Sequence, residues 1–330
     1  LVRATWAQVF RAPQITDRFS APATSNPIFF DPCVGLTQAQ VDANPNLGLA
    51  CTNVAHDGSF PGAPTSQVQQ TILSNPDLKP ETGSVITGGV VFDPSFLKNF
   101  SVTIDGWHYK IKNAIIAPDV NTIAATCVET GDPTICGYMQ RYPDGQILTI
   151  LTPTSNTASF TTDGVDTGVK YMFNTNAGKF RTSIDAAWTH SFKYQILPGS
   201  EEVEAAGTFD SQFGNFARWR GLGYFSWSMA GVEAGWRGRY IAGVPVASSL
   251  GQGSGRPAAA DYIRAGSVFY HDFTVGYTVP GTRTGVLVGV NNAFDRDPPL
   301  MYQFVLNGNV NVETYDTVGR MFYVRVSQSF

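Results

Sequence analysis

Four cysteines carry the most legible chemistry in this 330-residue chain. Cys33, Cys51, Cys127 and Cys136 fall as two local pairs, each inside a polar stretch rich in Gly, Pro and Asn. No C-x-x-C occurs, so a zinc site is disfavoured. Local pairs in loops point instead to the disulfides Cys33–Cys51 and Cys127–Cys136 in an oxidising compartment. Catalytic patterns are sparse. His56, His108, His190 and His271 lie on different segments, and neither H-E-x-x-H nor G-x-S-x-G occurs. In "HDF" (271–273) an extended chain puts His271 and Asp272 on opposite faces, which forbids a dyad. "GSEEVEAAG" (199–207) lacks the D-x-D-x-D-G calcium pattern and reads as a solvated charge run. "GQGSG" (251–255) lacks the Lys-Ser/Thr and helix of a phosphate loop. We therefore expect no enzyme, no metal and no cofactor.

The elements that position these residues follow from composition and period. Hydrophobic residues make up 43% and charged residues 15%, against roughly 25% charged in soluble domains. A net charge of −4 argues against a nucleic-acid partner. No apolar run is long enough for a transmembrane helix. The chain has neither an initiating Met nor a signal peptide, as expected of a processed chain or a piece of a longer one. Period-2 alternation predicts ten strands, near 1–11, 82–93, 99–112, 156–173, 180–192, 215–228, 231–241, 267–279, 285–294 and 315–330. Short connections (94–98, 174–179, 229–230, 280–284) alternate with long ones (13–81, 113–155, 193–214, 242–266, 295–314). That is the signature of an up-and-down antiparallel sheet whose two ends face different compartments.

Alternation alone fits a soluble sandwich as well as a lipid-facing band. Aromatic depth separates them. Phe180 and Trp188, Trp219 and Trp227, Phe269 and Tyr277, and Phe322 and Phe330 are each eight residues apart on one parity. At ~3.4 Å per residue and a tilt of ~40°, that spans about 21 Å, close to the apolar belt of a membrane barrel. Phe92, Phe100, Phe173, Phe180, Trp227 and Tyr277 all sit beside a short turn, which makes a girdle. In "FSVTIDGWHYKIKN" the outward parity runs from Phe100 to His108, Lys110 and Lys112, with both lysines beyond the belt. The favoured fold is a transmembrane antiparallel β-barrel, all-β, ahead of a secreted sandwich. The opposite parity is a wet wall: Arg3, Arg11, Asp105, Asp166, Lys170, Arg181, Asp185, Arg218, Arg220, Glu233, Arg237, Arg239, Asp272 and Arg325. For any one of these a satisfied salt-bridge network is the simpler reading than ligand contact. Loops carry binding on many scaffolds, and Phe29, Phe30, Tyr138 and Tyr142 are candidates to stack on a ligand.

Several segments resemble TonB-dependent outer-membrane receptors: "FRAP" (10–13), "NPDLKPETG" (75–83), "VTIDGWHYKIKNAI" (102–115), "TDGVDTGVKYMF" (162–173), "FYHDFTVGY" (269–277), "GVNNAFDRDPP" (289–299) and "ETYDTVGRMFYVRVSQSF" (313–330). They occur in the family's order over nearly the whole chain. The resemblance implies that residues 1–330 are the C-terminal segment of a barrel of about 22 strands, in the bacterial outer membrane. The plug domain, the TonB-contacting box and roughly the first twelve strands lie outside this chain. Implied partners are outer-membrane lipid, the plug and remaining strands, the TonB complex through the missing N-terminal part, and a small-molecule substrate. The implied function is energised uptake of a siderophore, vitamin or oligosaccharide. The final strand resembles the signal read by the barrel-assembly machinery, with Gly319, Phe322, Val324, Val326 and Phe330 in that role. Two other readings stay open. One is a passive porin-like or adhesion barrel of ten strands; the other is an outer-membrane hydrolase, whose Ser/His pair we do not find.

Overall fold

The computed structural model of the chain describes residues 1–62, 66–210, 213–245, 264–301 and 310–328. Ten long strands cross one antiparallel sheet in chain order, each paired with its sequence neighbours. They are β1 (Val2–Arg11), β2 (Glu81–Phe92), β3 (Phe100–Ile116), β4 (Ser155–Thr175), β5 (Gly178–Gln195), β6 (Trp219–Met229), β7 (Val232–Ile241), β8 (Val268–Val279), β9 (Thr284–Asn291) and β10 (Met321–Gln328). All ten expected strands are present. Short turns and long loops alternate as the sequence requires. The tightest turn, between β6 and β7, has φ of 51° at Ala230 and 83° at Gly231, the left-handed pair that matches strand twist in a two-residue hairpin. Among the described residues β1 and β10 each pair on one side only.

Some boundaries differ from expectation. β3 and β5 run on to Ile116 and Gln195, lifting the sheet well above the belt on the long-loop side. β6 begins at Trp219 because Gly214–Asn215 folds back on Phe209–Asp210 as a small hairpin. β10 begins at Met321 rather than 315. Tyr315 alternates like a strand residue, yet it is buried and its hydroxyl accepts from the Asn215 side-chain amide at 2.9 Å, which holds 310–320 as a loop.

The sheet's apolar face covers no core. Phe322 is 71% exposed and Val275 59%, and apolar side chains recur on that face from Val2 to Val326. A water-soluble protein rarely exposes so large a continuous apolar surface. This outer face carries a chain of ring contacts near the short turns: Phe100–Tyr171 at 5.9 Å, Tyr171–Phe173 and Phe173–Phe180 at 4.9 Å, and Phe180–Phe225 at 6.1 Å. Among the described residues no helix is long and apolar enough to cross a membrane.

The core sits instead at the long-loop end. Loops 13–81 and 113–155 fold together into a cap with its own four-stranded sheet, in the order Ala23–Ser25, Gln70–Leu73, Ile147–Pro153, Met139–Arg141. Its one long helix, Val120–Thr130, starts on the Asp119 side chain, which accepts from the Asn121 N–H, and stops at Gly131 with φ of 65°. Ile123, Ala124 and Cys127 bury one side of this helix against Phe29, Leu36 and Ile150. The structure joins Cys33 to Cys51 and Cys127 to Cys136, so each bridge closes a local loop inside the cap core.

Candidate functional site: the vestibule beneath the loop cap

The inner face of the sheet changes character along its height. Through the belt it is polar; where β3, β4 and β5 rise toward the cap it becomes aromatic. Trp107 and Tyr109 follow Asp105 on the inner parity of β3, with their rings 5.6 Å apart. On β5 a bulge does the same work. Asp163 pairs with Ser191 and Gly164 with Thr189, which leaves His190 as the extra residue. Beyond the bulge Phe192 and Tyr194 face inward, although they share the parity of outward Trp188. Phe192 packs on Phe216 at 4.3 Å, and Phe160 meets Phe213 edge-on at 5.6 Å.

Four of these rings, Trp107, Tyr109, Phe192 and Phe216, line an inner cavity of about 490 Å³ with Asp166 and Arg220 among them. Arg220 donates to the Asn215 carbonyl at 2.7 Å. Asp166 has no hydrogen-bond or ion-pair partner among the described residues. Flat rings with a few hydrogen-bonding groups, above the polar part of the inner face, form a surface for a ring-bearing or amphipathic solute.

The expected polar wall is largely a bonded network. Arg3 on β1 reaches over β2 to Asp105 on β3 at 2.8 Å, and it can do so because Gly89 lies between them in register. Arg237 pairs with Asp272 at 2.6 Å; Asp272 is 5% exposed and also accepts from the Asn292 N–H. Arg239 lies over the Tyr270 ring and 3.4 Å from Asp316. Arg218 donates to the His190 carbonyl and so secures the bulge. Lys170, Arg181, Asp185, Glu233 and Arg325 have no such partner among the described residues. Gly319 precedes β10 with φ of 77°. Phe322, Val324 and Val326 lie exposed on the outer face, and Phe330 lies outside the described residues.

The quoted motifs acquire a mechanical role at the rim. Arg11 of "FRAP" forks onto Glu81 of "NPDLKPETG" at 2.9 and 2.7 Å, and Glu81 also accepts from the Ile115 N–H. The Asn156 side chain accepts from the Lys79 N–H and donates to the Lys79 and Asn113 carbonyls, each at 2.8 Å. The segment thus straps β1, β3 and β4 together where the longest loops leave the sheet. In the acidic run, Glu202 pairs with Lys193 and Glu204 accepts from Ser191, the Phe192 N–H and the Ala206 N–H. Burial pushes the Glu204 carboxyl up, but these donors together leave it below the usual carboxylate range.

Two expectations need correction or relocation. Phe29 is fully buried in the cap core, so it is not free to stack on a ligand; Tyr138 packs against the same core, while Tyr142 is exposed. "GQGSG" lies outside the described residues. His271 and Asp272 do face opposite sides, with His271 accepting from the Trp236 indole at 3.1 Å. Among the described residues no three His, Cys, Asp or Glu side chains gather as a metal site. Sequence reasoning missed the vestibule rings. Alternation past Asp105 could have found Trp107 and Tyr109, but nothing in the pattern announces the bulge that turns Phe192.

Comparison with known proteins agrees with this geometry. A family model described as "TonB dependent receptor-like, beta-barrel" matches residues 1–293. No curated protein sequence matches. The siderophore receptor PirA from Acinetobacter baumannii superposes with a TM-score of 0.56 at 13% identity, over 100% of this chain and 39% of that one. A mutant of the ferric enterobactin receptor from Pseudomonas aeruginosa gives 0.57 at 12% identity, over 100% and 38%. The copper transporter OprC gives 0.50 at 13% identity, over 100% and 37%. The chain thus spans well under half the length of these solved structures, which support its fold.

Proposed function

Because the chain belongs to the TonB-dependent receptor β-barrel family, we propose that it forms the C-terminal wall of an outer-membrane receptor for energised uptake of a scarce nutrient. A siderophore, a vitamin or an oligosaccharide fits the reading. The observation that carries it is the aromatic vestibule between the loop cap and the polar channel wall. A solute caught on Trp107 and Tyr109 stands at the top of a wet path lined by Lys170, Arg181, Asp185, Glu233 and Arg325. Those unpartnered charges suit an inserted plug domain supplied by the rest of the receptor. The open sheet between β1 and β10 favours completion by further strands over a ten-stranded porin. Engagement of TonB and of the barrel-assembly machinery belongs to the same proposal.

The test is growth of a strain deleted for the full-length gene on a panel of iron and carbon sources, followed by uptake of the nutrient found. Uptake should stop without TonB. Trp107→Ala should weaken binding about tenfold, ~1.4 kcal/mol. Undiminished uptake in a strain lacking TonB overturns the energised reading.

A further inference from the structure

The vestibule contains a pair of opposite charges that does not close. Asp166 of β4 and Arg220 of β6 lie in one register row, with Ala187 of β5 between them. Neighbouring strands run ~4.8 Å apart, so the two backbones stand about 10 Å from each other. Arg3 and Asp105 have the same arrangement across Gly89, and there the side chains meet at 2.8 Å. Arg220 instead donates to the Asn215 carbonyl at 2.7 Å and forms no ion pair with Asp166 among the described residues. A carboxylate and a guanidinium therefore flank a gap whose floor is the methyl group of Ala187.

One register row higher the wall is a flat ring. Gly164 of β4 is the partner of Trp107 on one side and of Thr189 on the other. A Cβ at Gly164 would come within 2.5 Å of the six-membered ring of Trp107. With no side chain there, the indole packs down across the sheet, and the Tyr109 ring lies 5.6 Å away. Trp107, Asp166, Thr189 and Arg220 all line the same cavity. The surrounding charges are balanced. Asp105 holds Arg3, Asp316 lies 3.4 Å from Arg239, and Asp185 stands diagonal to Lys170 across β4 and β5.

We infer that the vestibule takes a neutral sugar ring with adjacent hydroxyls, which narrows the proposed uptake to one substrate class and rests on that reading. The C–H face of the sugar packs on Trp107. One hydroxyl donates to Asp166, whose carboxylate can only accept, and the neighbouring hydroxyl accepts from Arg220. The gap over Ala187 is thus bridged by the ligand. Charge and polarity select this occupant. A polyanionic metal chelate finds no excess of cations and meets Asp166 as a like charge. A wholly apolar solute would take water from Asp166 and Arg220 without replacing its hydrogen bonds.

The experiment uses the full-length receptor in a detergent without a sugar headgroup. It is screened on an array of neutral and acidic oligosaccharides, with a ferric tris-catecholate as the anionic comparison. Neutral sugars should bind. Calorimetric titration with the tightest of them should show Asp166→Asn weakening it about tenfold or more. Ala187→Leu fills the gap without removing a hydrogen-bonding group and should weaken it similarly. Both variants should keep heat-modifiable barrel migration. The sign of the Asp166 effect is decisive, because an anionic ligand gains from losing that carboxylate. Three results overturn the inference: no neutral sugar binds, the ferric tris-catecholate binds more tightly than any of them, or Asp166→Asn binds the sugar as well as wild type. TonB-dependent uptake of another nutrient would leave the broader reading standing in each case. Uptake of a bound sugar that continues undiminished without TonB overturns the broader reading and not the site.

Discussion

Arg141 ties the two cap loops together, and its removal should open the cap without unfolding the barrel. The Arg141 guanidinium forks onto Asp31 at 2.8 and 2.7 Å and also donates to the carbonyls of Ala50 and Gly145. The two side chains are 1% and 8% exposed. Arg141→Ala leaves a buried carboxylate with the Cys33 N–H as its remaining donor. Breaking a buried pair from one side costs about 3–5 kcal/mol, or roughly a hundred- to few-thousand-fold in the local opening constant. Removing both charges with volume retained, as Arg141→Met/Asp31→Leu, should cost about 1 kcal/mol or nothing, because the desolvation penalty leaves with them. Amide hydrogen exchange on the full-length receptor in detergent reads this directly. Ile123 and Ile150 in the cap should lose protection by at least a hundredfold in the single variant and regain most of it in the double. Amides of β7 and β8 serve as the unaffected reference. A single variant that loses less than fivefold, or a double variant as damaged as the single, refutes the reasoning.

The remaining predictions concern the cap and the chain end. Cys33→Ser/Cys51→Ser should cost the cap about 3 kcal/mol through loop entropy, seen as faster proteolysis within 13–81 while the barrel stays heat-modifiable. Burial raises the Asp119 carboxyl above the usual range. A raised folded-state pKa means that this stabilisation is full below the ordinary carboxylate pKa and is lost as pH rises through the raised one. Cap protection should therefore fall with rising pH relative to Asp119→Asn, which retains an N-cap; the opposite slope would exclude burial as the cause. Deleting Phe330 from the full-length receptor should lower its folded level in the outer membrane, measured as heat-modifiable barrel; normal levels count against a role in assembly.

How far the sequence reaches depends on whether a residue's neighbours are set by its own strand or by distant chain. The outer face was readable because a period of two acts residue by residue: Phe225, Trp236, Phe273, Val290 and Phe322 fall into one lateral row once each strand keeps its parity. The rim strap was visible as motifs, though not as the fork of Arg11 on Glu81. The cap core was not readable. Phe29 meets Ile123 and Ile150 only because two loops about a hundred residues apart fold on each other, and an aromatic in a polar loop looks the same whether buried there or exposed. Tyr315 misled for the converse reason: its alternation is genuine, but a tertiary hydrogen bond to Asn215 keeps it out of β10.

The bulge at His190 offers the sharpest test of this register argument, because it predicts tolerance where damage would be the usual expectation. Deleting one residue from a regular strand turns every later side chain to the other face. Deleting Ser183, which pairs with Lys170 in an unbroken stretch of ladder, should do so and abolish folding. His190 is the extra residue itself. Without it Thr189 and Ser191 stay opposite Gly164 and Asp163, and Phe192 still faces Phe216. The loss is the Arg218 hydrogen bond to the His190 carbonyl, about 1.5–3 kcal/mol for a charged donor. The deletion should therefore give a heat-modifiable barrel that retains nutrient binding, with somewhat lower thermal stability. If deleting His190 destroys the barrel as completely as deleting Ser183, the inward turn of Phe192 does not depend on the bulge, and the vestibule must be built another way.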